Sequence, residues 1–201
     1  MESRLVHFLE FLFELIILNL LTLLCCIPII TVGAALTALY HSLFELHKGN
    51  GNIIKGFFKG FVANFRPGLV LGLILLLCLL SFSLYVFLFK DMIAKGDILV
   101  LVGLVFVATI FFFPMAFTFP LLATFDSPAI RTLSNAFLLS FRHFGTSLVV
   151  LLMNSLPWLL VIISPTWFIR ILPLYAVFGL SLPGWFSSSL LLRVFRQYSD
   201  V

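Results

Sequence analysis

Charge is what this chain has least of. Of its 201 residues, 10% are Asp, Glu, Lys or Arg and 62% are hydrophobic. Soluble domains carry about a quarter charged residues. A water-soluble fold of this length cannot hide so much apolar surface, because part of every folded surface faces outward. Cysteine is scarce as well. Cys25, Cys26 and Cys78 all lie in apolar stretches, and no second Cys or His pair stands at zinc spacing. There is no Gly-rich phosphate loop, nucleophile–base pair or paired-acid constellation. The chain is therefore expected to be non-catalytic, without cofactor or metal. Its net charge of +4 comes without a dense basic patch, so no nucleic-acid partner is expected.

What the chain does have is long uncharged runs. Pro67 to Phe89, Ile98 to Phe125, Phe144 to Ile169 and Ile171 to Leu192 contain no Asp, Glu, Lys or Arg. About 20 apolar residues suffice to cross a hydrocarbon core of roughly 30 Å. Backbone amides in lipid must pair internally, so such runs become helices. The expected fold class is all-α: a polytopic membrane helix bundle of about six membrane helices. Residues 1–201 are read as a single membrane domain in contact with membrane lipid.

The first segment is uncharged between Glu14 and Glu45, and Pro28-Ile29-Ile30-Thr31-Val32-Gly33 stands in its middle. Proline removes a helix hydrogen bond, and threonine can cap a new helix. Residues 6–47 are therefore read as a short Pro-broken hairpin, with a single tilted helix through a proline kink as the alternative. Lys48-Gly49-Asn50-Gly51-Asn52 breaks the chain. From Ile53 to Phe65 apolar residues recur at the helical period, with Lys55 and Lys59 on the other side. That pattern predicts an interfacial helix over 52–66. Two spans are expected in 67–124, a second interfacial amphipathic helix at 127–145, and two spans in 146–192. The Lys/Arg distribution puts both interfacial helices and the C-terminus on the cytoplasmic side. With the hairpin, the N-terminus is cytoplasmic too. A weak internal echo aligns Phe58 with Phe137, Asn64 with His143, Phe65 with Phe144, Leu69 with Leu148 and Val70 with Val149.

Leu18-Asn19-Leu20-Leu21, the Pro28 to Gly33 segment with Ile27, Ala35-Leu36-Thr37-Ala38-Leu39-Tyr40 and Phe57-Phe58-Lys59-Gly60-Phe61-Val62-Ala63-Asn64-Phe65 resemble the YesL-like family of bacterial integral membrane proteins, a domain of unknown function. Residues 15–68 carry the resemblance, and the later spans match in size and order. It implies a Gram-positive plasma membrane and a frequent genetic neighbourhood with carbohydrate importers of the ABC type.

Four sets of candidate residues follow. Pro28, Thr31 and Gly33 form a candidate structural turn. Glu10, Glu14, His41, Glu45 and Lys48 form a candidate polar cluster at the hairpin's mouth, since membrane carboxylates are costly and usually purposeful. Asn19 and Asn154 are intramembrane amides suited to bridging helices. Asn64, Phe65, His143 and Phe144 end the interfacial helices and are candidates for docking a partner. The expected function is an accessory or regulatory subunit packed beside the permease subunits of a sugar ABC importer. The alternative is a small transporter or channel acting alone or as a homo-oligomer. One outcome tests the class itself: the purified chain stays monodisperse only in detergent, and size-exclusion chromatography in detergent-free buffer gives aggregate.

Overall fold

The computed structural model describes residues 2–49, 52–125 and 127–198, and among them every regular element is a helix. Helix α1 (Glu2–Cys26) turns through a short 3-10 turn (Ile29–Thr31) into α2 (Val32–His47). Helices α3 (Ile53–Ala63) and α4 (Phe65–Leu88) follow, then the short α5 (Lys90–Ala94). The expected single span to residue 124 is divided at Phe113-Pro114 into α6 (Ile98–Phe112) and α7 (Met115–Thr124). The amphipathic α8 (Ala129–Arg142) leads into α9 (Phe144–Ile163). The last expected span is also divided, into α10 (Pro165–Phe178) and α11 (Ser181–Phe195). Arg170, expected in a loop, falls inside α10.

Four segments are long and apolar enough to cross a membrane: Arg4–Cys26, Ile29–His47, Phe65–Leu88 and Ile98–Thr124. Two bent pairs bring the number to six when each counts as one span. Helices α8 and α9 bend by 106°, and α10 and α11 by 53°. The all-α polytopic bundle read from composition is therefore what the chain forms.

Thr31 does not cap α2 as expected. Its hydroxyl donates backward, to the carbonyls of Cys25 (2.5 Å) and Pro28 (2.7 Å). It thus satisfies the Cys25 carbonyl at the end of α1 and adds to the Pro28 carbonyl, which already accepts from the Thr31 amide (2.9 Å). The hairpin's tip is apolar, with Ile27, Ile29 and Ile30 exposed. At the far end, Gly49 turns the chain with a φ of 74°, where a side chain is strained. Asn50 and Gly51 of the expected breaker lie outside the described residues. Asn52 then caps α3 by accepting from the Lys55 amide.

Helix α2 is the centre of the bundle. It packs against α1, α3, α4, α7 and α11, and most of its residues are buried. Small residues make this geometry: Gly33, Ala34, Ala35 and Ala38 bring its backbone close to its neighbours. The tightest crossing is with α4. A methyl group at Gly33 runs into the carbonyl oxygen of Gly68 and lies 2.7 Å from the amide nitrogen of Gly72. A methyl group at Gly68 lies 2.7 Å from the Cα of Ala34. Gly68 and Gly72 form a G-x-x-x-G pair, the spacing that lets helix backbones approach in lipid.

Helix α3 does not lie free along an interface. It packs lengthwise on α2, burying Ile53, Phe57 and Gly60, with Gly60 against the His41 ring and Gly56 beside Ser42. Lys55 and Lys59 stay exposed. Helix α8 repeats the arrangement on α7: Ala129, Thr132, Ala136 and Ser140 are its buried stripe. Shifting the numbering by 79, the separation of Asn64 and His143, superposes the buried Ile53, Phe57, Gly68 and Leu71 on the buried Thr132, Ala136, Ser147 and Val150. Each half thus runs through a buried helix, an amphipathic helix folded against it, a one-residue corner and a long outward-facing helix. The sequence echo coincides with this shared order of elements.

The outer elements are bare. Leu73, Leu77, Leu80, Leu84 and Phe87 of α4 are exposed, as are Leu99, Val102, Val105 and Phe106 of α6. These two helices touch through Phe82 and Phe112 (5.2 Å) and a bond from the Tyr85 hydroxyl to the Val100 carbonyl (3.1 Å). Overpacking a close crossing costs about 1–3 kcal/mol. Gly33→Ala is expected to destabilise the detergent-solubilised chain by that amount in SDS-titration unfolding. Gly145→Ala, where a methyl group meets nothing within 4 Å, leaves stability unchanged or slightly raised.

Candidate functional site

The most completely bonded side chain in the interior is Asn19. It is fully buried on α1 and faces the break between α10 and α11. Its amide donates to the carbonyls of Tyr175 (3.3 Å) and Ala176 (2.6 Å). Its oxygen accepts from the backbone amides of Leu180 (2.7 Å) and Ser181 (3.1 Å). Both donors and both acceptor positions of the side chain are used. The reason is geometric. A helix that stops and restarts leaves carbonyls at its first end and amides at its second. One primary amide supplies both complementary groups. Asn19 is thus a clasp on a broken helix.

Asn154 makes a second bridge. Its amide donates to the Val150 carbonyl of its own helix (2.7 Å) and to the Ser187 hydroxyl of α11 (3.1 Å). The buried Tyr40 of α2 lies close enough to Asn154 and Ser187 for their polar groups to act on its hydroxyl, bringing α2, α9 and α11 together. Further along the same face of α2, His47 Nε2 lies 2.8 Å from the Ser188 hydroxyl. The His47 ring also stacks on Trp185 at 5.4 Å. This Ser–His contact is not arranged as nucleophile and base. Ser188 is fully buried, and its proton goes to the Trp185 carbonyl (2.7 Å). It therefore accepts from His47. The hydroxyls of Ser42 and Ser181 are buried without a hydrogen-bond partner among the described residues.

The charged residues at the hairpin's mouth resolve into local contacts. His7 and Glu10 approach to 3.3 Å, and Lys48 pairs with Glu45 at 2.9 Å. His41 Nδ1 turns instead toward the Ala123 carbonyl of α7 (3.4 Å). Glu14 is half-buried on α1. Among the described residues, no group of three or more His, Cys, Asp or Glu is placed to hold a metal ion.

The corner residues differ in what they present. Asn64 is buried and its amide donates to the Gly60 carbonyl (3.1 Å). His143 Nε2 lies 3.0 Å from the Tyr198 hydroxyl. The Ser147 hydroxyl spans the second corner, donating to the Ser140 (2.8 Å) and His143 (3.2 Å) carbonyls. Both polar corner residues thus turn inward, while Phe65 and Phe144 remain exposed. Phe144 also touches Phe113 at 4.9 Å, linking the corner to the α6–α7 joint.

Sequence reasoning singled out neither Tyr40, His47, Ser181, Ser187 and Ser188 nor the Gly68/Gly72 pair. The signals available were Ser187-Ser188-Ser189 inside an apolar helix and the G-x-x-x-G spacing. Replacing Asn19 by Leu removes four hydrogen bonds from the α10–α11 break. At the modest value such bonds have in membrane proteins, that costs roughly 2–3 kcal/mol. Hydrogen-exchange mass spectrometry of a peptide covering residues 178–182 is expected to show faster exchange in Asn19→Leu, with α4 peptides unchanged.

A family model described as "Protein of unknown function, DUF624" matches residues 15–86. No curated protein and no solved structure matches the chain. The matched stretch runs from the half of α1 that carries Asn19 through α2 and α3 and most of α4, so it contains both the clasp and the glycine crossing. Over that stretch the chain is similar to an uncharacterised family.

Proposed function

We propose that this chain is a non-catalytic accessory or regulatory membrane subunit that packs beside the permease subunits of a carbohydrate ABC importer. The observation that carries this reading is the contrast between an enclosed α2 and the long apolar faces of α4 and α6. Those faces are suited to neighbouring membrane helices. The resemblance of residues 15–68 to the YesL-like family supplies the sugar-importer context and a Gram-positive plasma membrane. A multi-pass arrangement with both termini cytoplasmic is part of the proposal. It is supported by the basic residues of 48–66, of α8 and of the tail, by the positive-inside tendency. The ends of α2, α7 and α11 also converge, with Phe195 6.1 Å from Phe44 and 5.9 Å from Phe125.

A second reading, a stand-alone transporter or channel, is favoured by the α10–α11 break. Interrupted helices with free polar groups are the usual binding device of transporters, and Ser181 offers an unpartnered hydroxyl there. Purification of the tagged chain from its native membrane in a mild detergent separates the two. Stoichiometric permease subunits in the eluate are the expected result. A homogeneous homo-oligomer that moves solute across liposomes would overturn the accessory role.

A further inference from the structure

A groove of about 410 Å³ opens where the end of α7, the polar side of α8 and the chain after α11 meet. Its walls differ in chemistry. From the end of α7, Leu121 and Phe125 make one side apolar, while α8 presents Asn135, Leu138 and Arg142 on one stripe, beside Tyr198. The Arg142 guanidinium sits 5.5 Å from the centre of the Tyr198 ring, and His143 holds the Tyr198 hydroxyl from behind at 3.0 Å. Among the described residues, Arg142 makes no ion pair with a carboxylate. No Asp or Glu among the described residues lines the groove. Arg131 stands four residues before Asn135 and so shares its stripe of α8. It too is exposed, and among the described residues it makes no ion pair with a carboxylate.

We propose that this groove binds the headgroup of an anionic phospholipid. Arg142 and Asn135 take the phosphate oxygens, and the Leu121–Phe125 wall takes the glycerol and first acyl carbons. Charge complementarity argues for the anion, since a guanidinium without a carboxylate offers a planar fork that matches phosphate. The apolar wall argues for a lipid over free phosphate, which has no use for it. The placement agrees with the interfacial reading of α8: it leaves α9 at 106°, and an amphipathic helix lying across the spans puts its polar side at headgroup depth. The proposal is independent of any permease partner.

Native mass spectrometry of the full chain released from detergent micelles tests it. The chain is titrated with phosphatidylglycerol, phosphatidylcholine or inorganic phosphate. One tight phosphatidylglycerol adduct per chain is expected, not displaced by equimolar inorganic phosphate. Arg142→Ala weakens it about fivefold, the scale of one basic residue at a lipid surface. Arg66→Ala, outside the groove, leaves it unchanged. Should Arg142→Ala fail to fold, Asn135→Leu carries the test. Asn135 is exposed, and about a threefold loss is expected for its hydrogen bond. Equal retention of phosphatidylcholine, displacement by inorganic phosphate, or equal losses for Arg66→Ala and Arg142→Ala would each overturn the site.

Discussion

Close approach of the α2 and α4 backbones is the contact on which the bundle rests. In lipid the hydrophobic effect does not press helices together, since acyl chains are as apolar as leucine. Association then depends on dispersion between closely fitted surfaces and on a few interhelical hydrogen bonds. Gly33 meeting Gly68 and Gly72 provides the first. It places the start of α4 on α2, and α3, between them in the chain, is held along α2 as a consequence. The same economy of side-chain size recurs on α8, where Ala129, Thr132, Ala136 and Ser140 face α7.

The second requirement is that interrupted helices recover their backbone hydrogen bonds inside the protein. Three interruptions are met in three ways. At Pro28 a threonine hydroxyl serves two carbonyls. At the α8–α9 corner the Ser147 hydroxyl serves another two. At the α10–α11 break Asn19 reaches from a distant part of the chain and serves four groups. Only the last couples sequence-remote elements, so it fixes where the C-terminal helices sit against the hairpin. Tyr40, Asn154 and Ser187 add a second tie between the same regions.

The two halves are used differently. In the first, α3 is anchored by the large Phe57 and the corner is sealed by Asn64. In the second, the residue at the matching position is the small Ala136, and the corner histidine is engaged by Tyr198 of the C-terminal tail. The tail therefore contributes to a groove with an apolar and a basic wall beside α8. The two halves share an order of elements, and differences in side-chain size and the reach of the tail give their corners different linings.

Membrane class, helical content and the order of the long helices were legible from residues alone. Runs without charge and a 3.6-residue period are local properties, and lipid enforces helix on any such run. The bridging chemistry of Asn19 and Asn154 was legible in kind, because an amide in an apolar helix needs a partner. Which partner was not: Tyr175 to Ser181 lie more than 150 positions away from Asn19. The interfacial reading of α3 followed its amphipathic pattern correctly but missed that much of the apolar side packs on α2. Gly179 and Pro183 mark the break after Phe178 in the sequence, but the uncharged stretch around them still reads as one span. The physical reason is common to these cases. In a membrane protein the faces that meet lipid and the faces that meet other helices are equally apolar. Hydrophobic pattern alone thus determines that helices form, and only tertiary packing decides which small or polar residue finds which neighbour.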